Sequence, residues 1–578
     1  MINLKINNID VQVENGQTVL DACNAIHVKV PTLCHLDLGK LGFVNRDANC
    51  RVCMVEDVKK GNLIPACSTY AKEGMEIRTD TMRVVQSRRV NIELLLSNHP
   101  KDCLICEKNG ECELQQLAMD ANITTLRFEG ERIPFDLDTS SLSIIRDPNK
   151  CILCKRCETM CTEVQTVGTL TDVGRGFGTV IGTAFQKPIF ETNCTFCGQC
   201  ISVCPTGALT EKCCITKVYD AIRDKNKTTV VQVAPAVRVA LGEAFGMEPG
   251  TITTGKMVAA LKHIGFDYIF DTNFAADLTT MEEAKEFVER LESNNLPILT
   301  SCCPSWVKFI EHNFGDMFHI PSTCKSPHEM FGTVAKTYFA EKIGKDPEDI
   351  VVVSIMPCVA KKYESKRPEL TLEGDISNVD RVITTRELAE IIKEFSINFE
   401  ELEEMDFDDP MGESSGAGAI YGASGGVSTS AIRTAYYMIT GEDLEEVEFK
   451  DLEGLSGLKV AEVDINGRKI RAAVASGLGN ARKLLEDIRH KREHFDIIEI
   501  MACPGGCVAG GGQPFIHGDV SIIQKRTDAI QNIDRSKENR LAHHNKSIQK
   551  IYDEYIGEVG GKKAHELLHT HLVFREKI

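Results

Sequence analysis

The hydrophobic pattern of the chain changes near residue 225, and the two parts predict different kinds of fold. The first 80 residues contain short alternating segments typical of strands, INLKINN and VQVENG, followed by a predicted helix near Thr18–Ile26. Beyond residue 225, apolar runs alternate with amphipathic helical segments. Five runs are typical of buried strands: TTVVQVAP (228–235), FDYIFDT (266–272), LPILTSCCP (296–304), IVVVSIMPC (350–358) and FDIIEIMAC (495–503). This pattern predicts an α/β domain with mainly parallel strands.

Two further segments carry a distinctive pattern. Residues 120–145 contain no cysteine and are predicted to be a connector with short strands, which ends at the turn signal Asp147-Pro148-Asn149. The Gly/Ser-rich segment SSGAGAIYGASGGVSTS (414–430) fits two interpretations equally. It is either a flexible loop or a place where backbone must approach another group closely.

Composition narrows the class of protein. The net charge of the 578 residues is −18, from 66 basic and 84 acidic residues, which argues against a nucleic-acid partner. The N-terminus MINLKINNIDVQV lacks a secretory pattern, and no apolar run approaches 18 residues, so we expect a cytosolic protein with no membrane partner. In a reducing compartment, 24 cysteines are expected to bind metal and not to form disulfides.

Two copies of the bacterial ferredoxin cysteine run lie between residues 151 and 204. In such pairs the fourth cysteine of each run binds the other cluster, so the sequence predicts two 4Fe–4S cubes. The predicted ligands are Cys151, Cys154, Cys157 and Cys204 for one cube, and Cys194, Cys197, Cys200 and Cys161 for the other. Zinc sites do not fit, because they use two separated CxxC pairs.

Four earlier cysteines predict a cluster in the N-terminal domain: Cys34, Cys50, Cys53 and Cys67. Their spacing is wider than that of plant-type 2Fe–2S proteins. It resembles the variant at the front of respiratory NADH dehydrogenase large subunits, which implies one 2Fe–2S cluster. Zinc is the alternative. Cys23, in the predicted helix, is expected to be a core residue.

A histidine precedes the next three cysteines, in the order His99, Cys103, Cys106 and Cys112. Three cysteines alone would leave one iron of a 4Fe–4S cluster without a ligand. A neutral imidazole is a sound ligand for iron. A lone histidine is more often structural, but beside three cysteines we predict that His99 is the fourth ligand.

The remaining cysteines lie just beyond the carboxyl ends of predicted strands, where open α/β folds bind their ligands. They are Cys302, Cys303, Cys358, Cys503 and Cys507. Cys303 precedes Pro304 and a helical segment, so its thiolate is expected at a helix N-terminus, where negative charge is favoured. The Gly-rich run after Cys503 can bring backbone close to a bulky cofactor.

Three motifs around these cysteines, TSCCPSW (300–306), MPCVAKK (356–362) and MACPGGCVAGGGQP (501–514), resemble the signatures of the FeFe-hydrogenases. The cluster domains resemble those of the long clostridial type with four accessory clusters. The resemblance implies an H-cluster, in which Cys303, Cys358, Cys503 and Cys507 bind a 4Fe–4S cube. Cys507 would bridge to a two-iron centre with CO, cyanide and a dithiolate. It further implies three accessory 4Fe–4S clusters and one 2Fe–2S cluster.

The resemblance also implies roles for residues around the cofactor. Cys302 would pass protons to the cofactor, through a relay of Glu283, Ser322 and Glu286 with Arg290 nearby. Lys361 would hydrogen-bond a cyanide. Residues implied to line the cofactor are Pro235, Ala236, Met356, Met501 and Cys507.

Plainer interpretations of four of these residues stand beside the implied ones. Glu283 and Glu286 share a helix face, and Thr280-x-x-Glu283 fits a capping box with a solvated face, which sequence alone favours. Cys302 could be a spare buried cysteine and Lys361 a surface charge. Met356 fits a plain core methionine almost as well as a cofactor contact.

The chain departs from the family pattern at several positions. They are Ser305, Ala236, His328, Tyr421 and the extra thiol Cys324 close to the relay. These departures put in doubt the rate, the direction bias and the oxygen tolerance of the site. They leave the reaction class unaffected. Cys213 and Cys214 have no assigned role, and we expect buried structural cysteines.

The sequence therefore predicts a multidomain α+β and α/β protein. Its domains are a plant-type-ferredoxin-like domain (1–80), a cluster domain with one histidine and three cysteines (81–125), a bacterial-ferredoxin-like double-cluster domain (140–212) and a two-lobed H-cluster domain (220–578). The expected activity is reversible conversion of protons and electrons to H₂. Expected partners are a ferredoxin or flavodoxin-like electron carrier and hydrogenase maturation proteins.

Other functions remain open at this point. They are an electron-transfer subunit like those of NADH dehydrogenases, a sensory or assembly homologue, and a subunit of an electron-bifurcating complex. The three motifs and Lys361 argue against a mere conductor, and Cys302 with both glutamates argues against a sensory or assembly role. The sequence shows no flavin or dinucleotide fingerprint of its own.

Overall fold

The computed structural model describes residues 1–39, 43, 47–444, 446–451 and 457–575. The N-terminal part is a five-stranded mixed sheet with strand order β2-β1-β5-β3-β4, covered by one helix. Its elements are β1 (Ile2–Ile6), β2 (Ile9–Val13), α1 (Val19–Ala25), β3 (Met54–Asp57), β4 (Asn62–Pro65) and β5 (Glu76–Arg78). The helix begins with a capping box, in which the Thr18 hydroxyl accepts from the Asp21 backbone and the Asp21 carboxylate accepts from the Thr18 backbone. Cys23 is fully buried in this part, as expected.

The middle of the chain consists of short elements around cysteine-lined cavities. They are α2 (Met82–Ser97), α3 (Glu113–Asp120), β6 (Ile144–Arg146), α4 (Arg156–Thr159), β7 (Thr171–Val173), β8 (Val180–Gly182), α5 (Gln199–Ser202) and β9 (Leu209–Glu211). Strands β6 and β9 pair antiparallel, as do β7 and β8. The predicted connector at 120–145 contains an isolated bridge from Asp138 to Arg146 and the start of β6. The expectation of several short strands there is therefore wrong.

The C-terminal part contains two sheets with helices packed around them. Its first elements are α6 (Ile215–Arg223), β10 (Thr228–Val233), α7 (Thr254–Ile264), β11 (Tyr268–Asp271), α8 (Thr272–Glu292), β12 (Ile298–Leu299), α9 (Pro304–Asn313), α10 (Pro327–Val334), α11 (Ala340–Ile343), β13 (Ile350–Met356), α12 (Lys361–Glu364), β14 (Thr371–Leu372), β15 (Ile376–Ser377), β16 (Arg381–Thr384) and α13 (Thr385–Glu394). The later ones are α14 (Gly416–Ile420), α15 (Gly426–Thr440), β17 (Lys450–Asp451), β18 (Leu458–Ile465), β19 (Arg468–Ser476), α16 (Leu478–Arg489), β20 (Ile497–Met501), α17 (Ser521–Ser536), α18 (Lys546–Ile551) and α19 (Lys562–Leu568).

The first sheet has the order β11-β10-β13-β16 and is entirely parallel. Its central strands are almost continuously buried, which is why they appear as unbroken apolar runs in the sequence. The second sheet has the order β12-β20-β19-β18-β17, and only its first three strands are parallel. The hairpin β18–β19, which the sequence prediction did not include, turns at Asn466-Gly467, both with positive φ.

Helix α8 connects the two sheets and settles one alternative. Asp271 caps its N-terminus, so Thr280 and Glu283 lie inside the helix and form no capping box. Both side chains are buried, and the expected solvated face is wrong for Glu283. Among the described residues, no helix is long and apolar enough to span a bilayer.

Two other expectations are decided by burial. The Gly/Ser-rich segment 414–430 forms buried helical turns at α14 and the start of α15, which supports the close-approach interpretation over the flexible loop. Cys213 is exposed and Cys214 is half-buried, so the expectation of buried structural cysteines is wrong for Cys213.

Candidate active site

Four thiols meet between the carboxyl ends of the two sheets. Cys358 follows β13 of the first sheet, whereas Cys303 and Cys503 follow β12 and β20 of the second. Cys303 occupies the N-cap of α9. Burial raises the pKa of Cys503 well above its ordinary value, and the neighbouring Cys358, Cys303 and Cys507 raise it further. This mutual influence requires the four sulfur atoms to lie together, and four soft donors in one buried place suit an iron–sulfur cube.

Glycines near these thiols allow neighbouring backbone segments to pack closely against one another. A Cβ atom at Gly510 would lie 2.2 Å from the Pro357 carbonyl oxygen. One at Gly506, which has φ +97°, would lie 2.5 Å from the Ser424 amide nitrogen. These backbone segments therefore lie at distances that only glycine permits, and the approach of the Gly-rich run to a cofactor stays a prediction.

The double ferredoxin run forms two cavities. One cavity is lined by Cys151, Cys154, Cys157 and Cys204, and the other by Cys161, Cys194, Cys197 and Cys200. The fourth cysteine of each run thus faces the cavity of the other run. This arrangement has the ligand exchange expected of two-cluster ferredoxins.

The N-terminal cysteines also come together. Cys34, Cys50, Cys53 and Cys67 are all buried, and the Cys53 and Cys67 sulfur atoms are 3.3 Å apart. The Cys50 and Cys67 thiols both hydrogen-bond the Cys34 sulfur and lower its pKa. Four thiols within such contact can bind a 2Fe–2S cluster, and equally a zinc ion, so both chemistries fit the donor set.

The predicted group of one histidine and three cysteines is more open. Cys103 is exposed, while Cys106 and Cys112 are half-buried and near enough for Cys106 to raise the pKa of Cys112, after burial. His99 is buried, its Nδ1 has no hydrogen-bond partner among the described residues, and burial lowers its pKa to about 4. The imidazole is therefore neutral at pH 7, which is the form that binds metal.

Close contacts join the double-cluster region to the four central thiols. The Gln199 side-chain amide lies 3.1 Å from the Cys503 sulfur and also donates to the Ala509 carbonyl. Cys197 lies close enough to raise the pKa of Cys503. Gln199 was not identified from the sequence, because a polar residue beside a cluster cysteine carries no distinctive pattern. These contacts place the second ferredoxin cysteine run directly beside the central thiols.

A polar chain leads from the central thiols towards the surface. Burial raises the pKa of Cys302 well above its ordinary value, and the nearby Glu283 raises it further. Burial, with the charges of Glu286 and Glu499, raises the pKa of Glu283 to about 8, although the nearby Ser322 side chain opposes this. The Ser322 hydroxyl donates to Glu286 Oε2 at 2.9 Å. Cys302, Glu283, Ser322 and Glu286 therefore form a series of four neighbouring groups that can carry protons.

Arg290 holds the outer end of this chain. Its guanidinium donates to Glu286 Oε1 at 2.6 Å and also to the carbonyl oxygens of Ile320 and Pro321. These contacts fix the Glu286 side chain, which is partly accessible to solvent. The structure thus brings together Cys302, Glu283, Ser322, Glu286 and Arg290, as the resemblance implied.

Lys361 is buried and not a surface charge. Its ammonium donates to the Cys302 carbonyl at 3.2 Å, to Ser326 Oγ at 2.9 Å and to Glu364 Oε2 at 2.7 Å. Burial favours the neutral amine, but Glu364 outweighs it and raises the pKa of Lys361. The ammonium is therefore charged and fixed beside Cys302. Glu364 was missed in the sequence, although its position three residues after Lys361 on a helix is the spacing of an ion pair.

His328 extends this network. Its Nδ1 lies 2.8 Å from Glu364 Oε2 and 3.1 Å from Glu329 Oε1, and its buried Nε2 has no hydrogen-bond partner among the described residues. Tyr421, another departure from the family pattern, shares a 2.9 Å hydrogen bond with Thr280. Both departures are therefore buried and lie beside the site.

The residues expected to line the cofactor lie in three places. Met501 and Tyr421 pack together with Cys302 and Cys507 in one apolar cluster. Met356 packs in the larger core around the first sheet. Pro235 and Ala236 are buried just beyond β10, and the Ala236 carbonyl accepts from Gln513 Nε2 at 2.8 Å. Met501 is thus placed beside the thiols, and Met356 has the core packing of its plainer interpretation.

Comparisons with known families agree with this arrangement. The C-terminal domain of the iron-only hydrogenase large subunit matches residues 227–511, and the iron hydrogenase small subunit matches 520–574. Upstream, the 2Fe-2S iron–sulfur cluster binding domain matches 1–82. The NADH-ubiquinone oxidoreductase-G iron–sulfur binding region matches 88–127, and the 4Fe-4S dicluster domain matches 150–208.

Whole-chain relatives and solved structures point the same way. The chain is 49% identical over its full length to the full-length NADP-reducing hydrogenase subunit HndD of Solidesulfovibrio fructosivorans. It is 39% identical to iron hydrogenase 1 of Clostridium pasteurianum, over 98% of this chain and 99% of that protein. The apo FeFe-hydrogenase HydA1 of Chlamydomonas reinhardtii matches with a TM-score of 0.57 and 42% identity, over 62% of this chain and 98% of that one.

The similarities cover the accessory cluster domains as well as the two-sheet domain. They support a multidomain protein with iron–sulfur domains followed by an α/β hydrogenase domain. The chain therefore belongs to the iron-only, or FeFe, hydrogenase family, as an oxidoreductase that interconverts protons, electrons and H₂.

Proposed function

We propose that Cys303, Cys358, Cys503 and Cys507 bind the 4Fe–4S cube of an H-cluster, and that Cys507 bridges to its two-iron centre with CO, cyanide and dithiolate ligands. When bound, this cofactor supplies the metal site at which H₂ is made or split. The observation that carries the proposal is the placement of all four thiols in one buried group with Cys302 beside them. The chain's own residues hold the cofactor, exclude water and deliver protons and electrons.

The proposed accessory centres follow the other cysteine groups. Cys34, Cys50, Cys53 and Cys67 hold a 2Fe–2S cluster; His99, Cys103, Cys106 and Cys112 hold a 4Fe–4S cluster; the double run holds two more. The two cavities with exchanged fourth cysteines support the last assignment. Electrons would pass between the double run and the central thiols near Gln199, and the contact of Gln199 with Cys503 supports this route.

In the proposed proton relay, protons move between solvent and Cys302 through Glu286, Ser322 and Glu283. A pKa of about 8 lets the Glu283 carboxyl hold a proton at neutral pH and still release it, which suits a general acid and base. Arg290 positions Glu286 and takes no proton itself. Lys361, charged and held by Glu364 and Ser326, presents its ammonium to a cyanide ligand.

Infrared spectroscopy of the protein, produced together with hydrogenase maturation proteins, tests the cofactor assignment. We expect CO and cyanide stretching bands, and we expect Lys361→Met to shift the cyanide bands. Matured protein without these bands would contradict the H-cluster.

For the His99 ligand, His99→Ala should alter the electron paramagnetic resonance signal of one cluster and leave the others unchanged.

The proposed electron partner is a ferredoxin or flavodoxin-like carrier in the cytoplasm. A second candidate places the chain as the hydrogenase subunit of an NADP-reducing, electron-bifurcating complex. The full-length 49% identity to a protein named as an NADP-reducing hydrogenase subunit favours it. Anaerobic purification from the native cells separates the two. Copurification of a flavoprotein with H₂-dependent NADP⁺ reduction supports the complex, and direct ferredoxin reduction by the isolated chain supports the first candidate.

A further inference from the structure

Three metal-ligating side chains that come from distant parts of the chain converge at the outer end of the proposed relay. They are Glu286 on α8, Cys324 before α10 and His569 after α19, and a ligand atom of each lies within 4.8 Å of those of the other two. Cys324 Sγ lies 3.8 Å from Glu286 Oε2. Arg290 binds the other carboxylate oxygen, Oε1, so Oε2 is the one directed at the cysteine. The proposed proton relay uses neither Cys324 nor His569.

The Thr323 hydroxyl marks the point on which these groups converge. Its oxygen is 2.8 Å from His569 Nδ1 and 3.1 Å from Glu286 Oε2. A threonine hydroxyl has a single proton, so it cannot donate to a neutral imidazole nitrogen and a carboxylate at the same time. Glu286 Oε2 also accepts from the Ser322 hydroxyl and the Thr323 amide, so a cation bound here would replace donors at the carboxylate and at His569 Nδ1.

A buried carboxylate fixes the histidine ring in the orientation that a metal ligand needs. Glu282 Oε2 lies 3.0 Å from His569 Nε2, and Glu282 itself accepts from the Tyr552 hydroxyl at 2.5 Å and the Gly560 amide at 3.0 Å. Because this carboxylate accepts, Nε2 carries a ring proton, which leaves Nδ1, on the side of Thr323, as the ligand atom. Carboxylate–histidine pairs of this kind orient and strengthen zinc ligands.

The donor set and its spacing suit zinc. Zinc binds thiolate, imidazole and carboxylate, at about 2.3 Å to sulfur and about 2.0 Å to nitrogen or oxygen, which sets tetrahedral ligand atoms roughly 3.3–3.5 Å apart. The observed 3.8 Å between Cys324 Sγ and Glu286 Oε2 is close to this spacing. A small rotation of the three side chains, with Thr323 turning aside, closes the site. The fourth position is then open to water.

Solvent reaches this place from outside. Thr323 is exposed, and together with Ser322 and Cys324 it lines a cavity of about 220 Å³. Glu282 and Glu286 place two carboxylates beside this position, with Arg290 bound to only Glu286. A divalent cation can therefore enter and is electrostatically favoured.

We propose that Glu286, Cys324 and His569 bind Zn²⁺, and that this occupancy stops proton delivery. The Cys324 thiol releases its proton to solvent on binding, and the zinc ion takes the Glu286 oxygen that otherwise accepts from Ser322. The binding site stands on its own geometry, whereas the inhibition rests on the proposed relay through Glu286. Zinc bound at this site therefore inhibits the enzyme by blocking the outer end of the proposed proton relay.

Equilibrium dialysis of the matured holoenzyme against buffered Zn²⁺, with H₂ production assayed on the same samples, tests the proposal. We expect one bound zinc ion per chain, and we expect its binding to depend on Cys324. The rate of H₂ production should fall at least tenfold, and it should recover fully after EDTA with the cluster absorbance unchanged. Cys324→Ser should weaken zinc binding by at least about 100-fold and abolish inhibition. His569→Gln provides the same test if the cysteine variant fails to fold. Glu282→Gln, which keeps all three ligands, should weaken binding by about tenfold.

Two control variants address zinc bound elsewhere. Cys213→Ser removes an exposed thiol, and Asp443→Asn disrupts another candidate group, in which the Asp443 carboxylate lies 3.0 Å from His543 and His544. Both variants should remain zinc-sensitive, each compared with its own zinc-free rate. If no zinc binding depends on Cys324, the proposed site is wrong. The same conclusion follows if inhibition survives Cys324→Ser but disappears in Asp443→Asn. Cys324-dependent binding without inhibition leaves the site intact and contradicts the relay through Glu286.

Discussion

Cys302 and Glu283 owe their chemistry to burial next to charged neighbours. Each is buried with other ionisable groups around it, and each has a pKa raised from its ordinary value. A thiol and a carboxyl that both retain protons near neutral pH can exchange them along a hydrogen-bonded chain. The same burial makes both residues sensitive to substitution.

Cys302→Ala should lower H₂ production by a factor of about 10² to 10⁴, because the proton-transfer group next to the cofactor is lost. The infrared bands and the iron content should stay unchanged, which distinguishes lost proton transfer from lost cofactor. Cys213→Ala, at an exposed cysteine, is the matched control and should keep full activity. Turnover close to that of the unchanged protein would mean that protons take another route.

The raised pKa of Glu283 predicts how stability changes with pH. The folded state holds this proton up to about pH 8, whereas the unfolded chain loses it near pH 4.3. The stabilisation is therefore complete below about pH 4 and is lost as the pH rises through 8. Over this interval the free energy of unfolding falls by up to about 1.4 kcal/mol per pH unit.

Glu283→Gln should remove this part of the pH dependence, which denaturant unfolding at several pH values measures. Glu289→Gln is the matched control, since Glu289 lies on the same helix but is exposed. Parallel pH profiles for the unchanged protein and Glu283→Gln would show that the buried carboxyl does not titrate as inferred.

At the scale of helices and strands, the structure depends on close backbone contacts, and the sequence indicates only some of them. Long apolar runs predicted the strands of the first sheet, because central parallel strands are buried on both faces. The hairpin β18–β19 was missed, since charged residues interrupt β18 and it lacks the long apolar run of the strands buried on both faces. Its Asn466-Gly467 turn was the available signal.

Burial explains what the sequence could and could not indicate about the site. The thiol groups were predictable, because cysteine spacing follows directly from cluster geometry. The contacts of Glu364, Gln199 and Glu282 were not, since each depends on side chains brought together by the fold. Thr280 is an instructive error. Its capping-box spacing is real, but the helix begins earlier, at Asp271.

Gly426 provides a test of the close packing at the start of α15. A Cβ atom there would lie 1.8 Å from the Ile420 carbonyl oxygen, so Gly426→Ala should destabilise the protein by at least about 3 kcal/mol. Thermal unfolding and the yield of folded protein measure this. Gly178→Ala is the control, because no heavy atom lies within 4 Å of its Cβ position, and it should change stability by no more than about 0.5 kcal/mol. Equal effects of the two variants would contradict the packing argument.

At the scale of the whole molecule, an ion pair joins the double-cluster region to the loop around the central thiols. Arg386 binds both carboxylate oxygens of Glu211 at 2.8 Å and also donates to the Gly511 carbonyl at 2.6 Å. Glu211 ends β9, and Gly511 follows the last thiol. This contact fixes the position of β9 relative to the loop that carries Cys507.

Arg386→Met should lower the free energy of unfolding by up to about 3 kcal/mol, because it leaves the largely buried Glu211 carboxylate without its cationic partner. Electron-dependent H₂ production with reduced ferredoxin should fall, while H₂/D₂O exchange, which needs no external electrons, should be retained. Equal losses in both assays would indicate damage to the active site itself.

The four central thiols come from both sheets, and this has a consequence for how the chain unfolds. A cofactor bound by Cys358 on one side and by Cys303 and Cys503 on the other closes long loops of chain, much as a covalent cross-link does. Closing those loops removes conformational freedom from the unfolded chain and couples the two sheets into one cooperative unit. Calorimetry should therefore show a single transition for this domain with the cofactor, and two separate, earlier transitions without it.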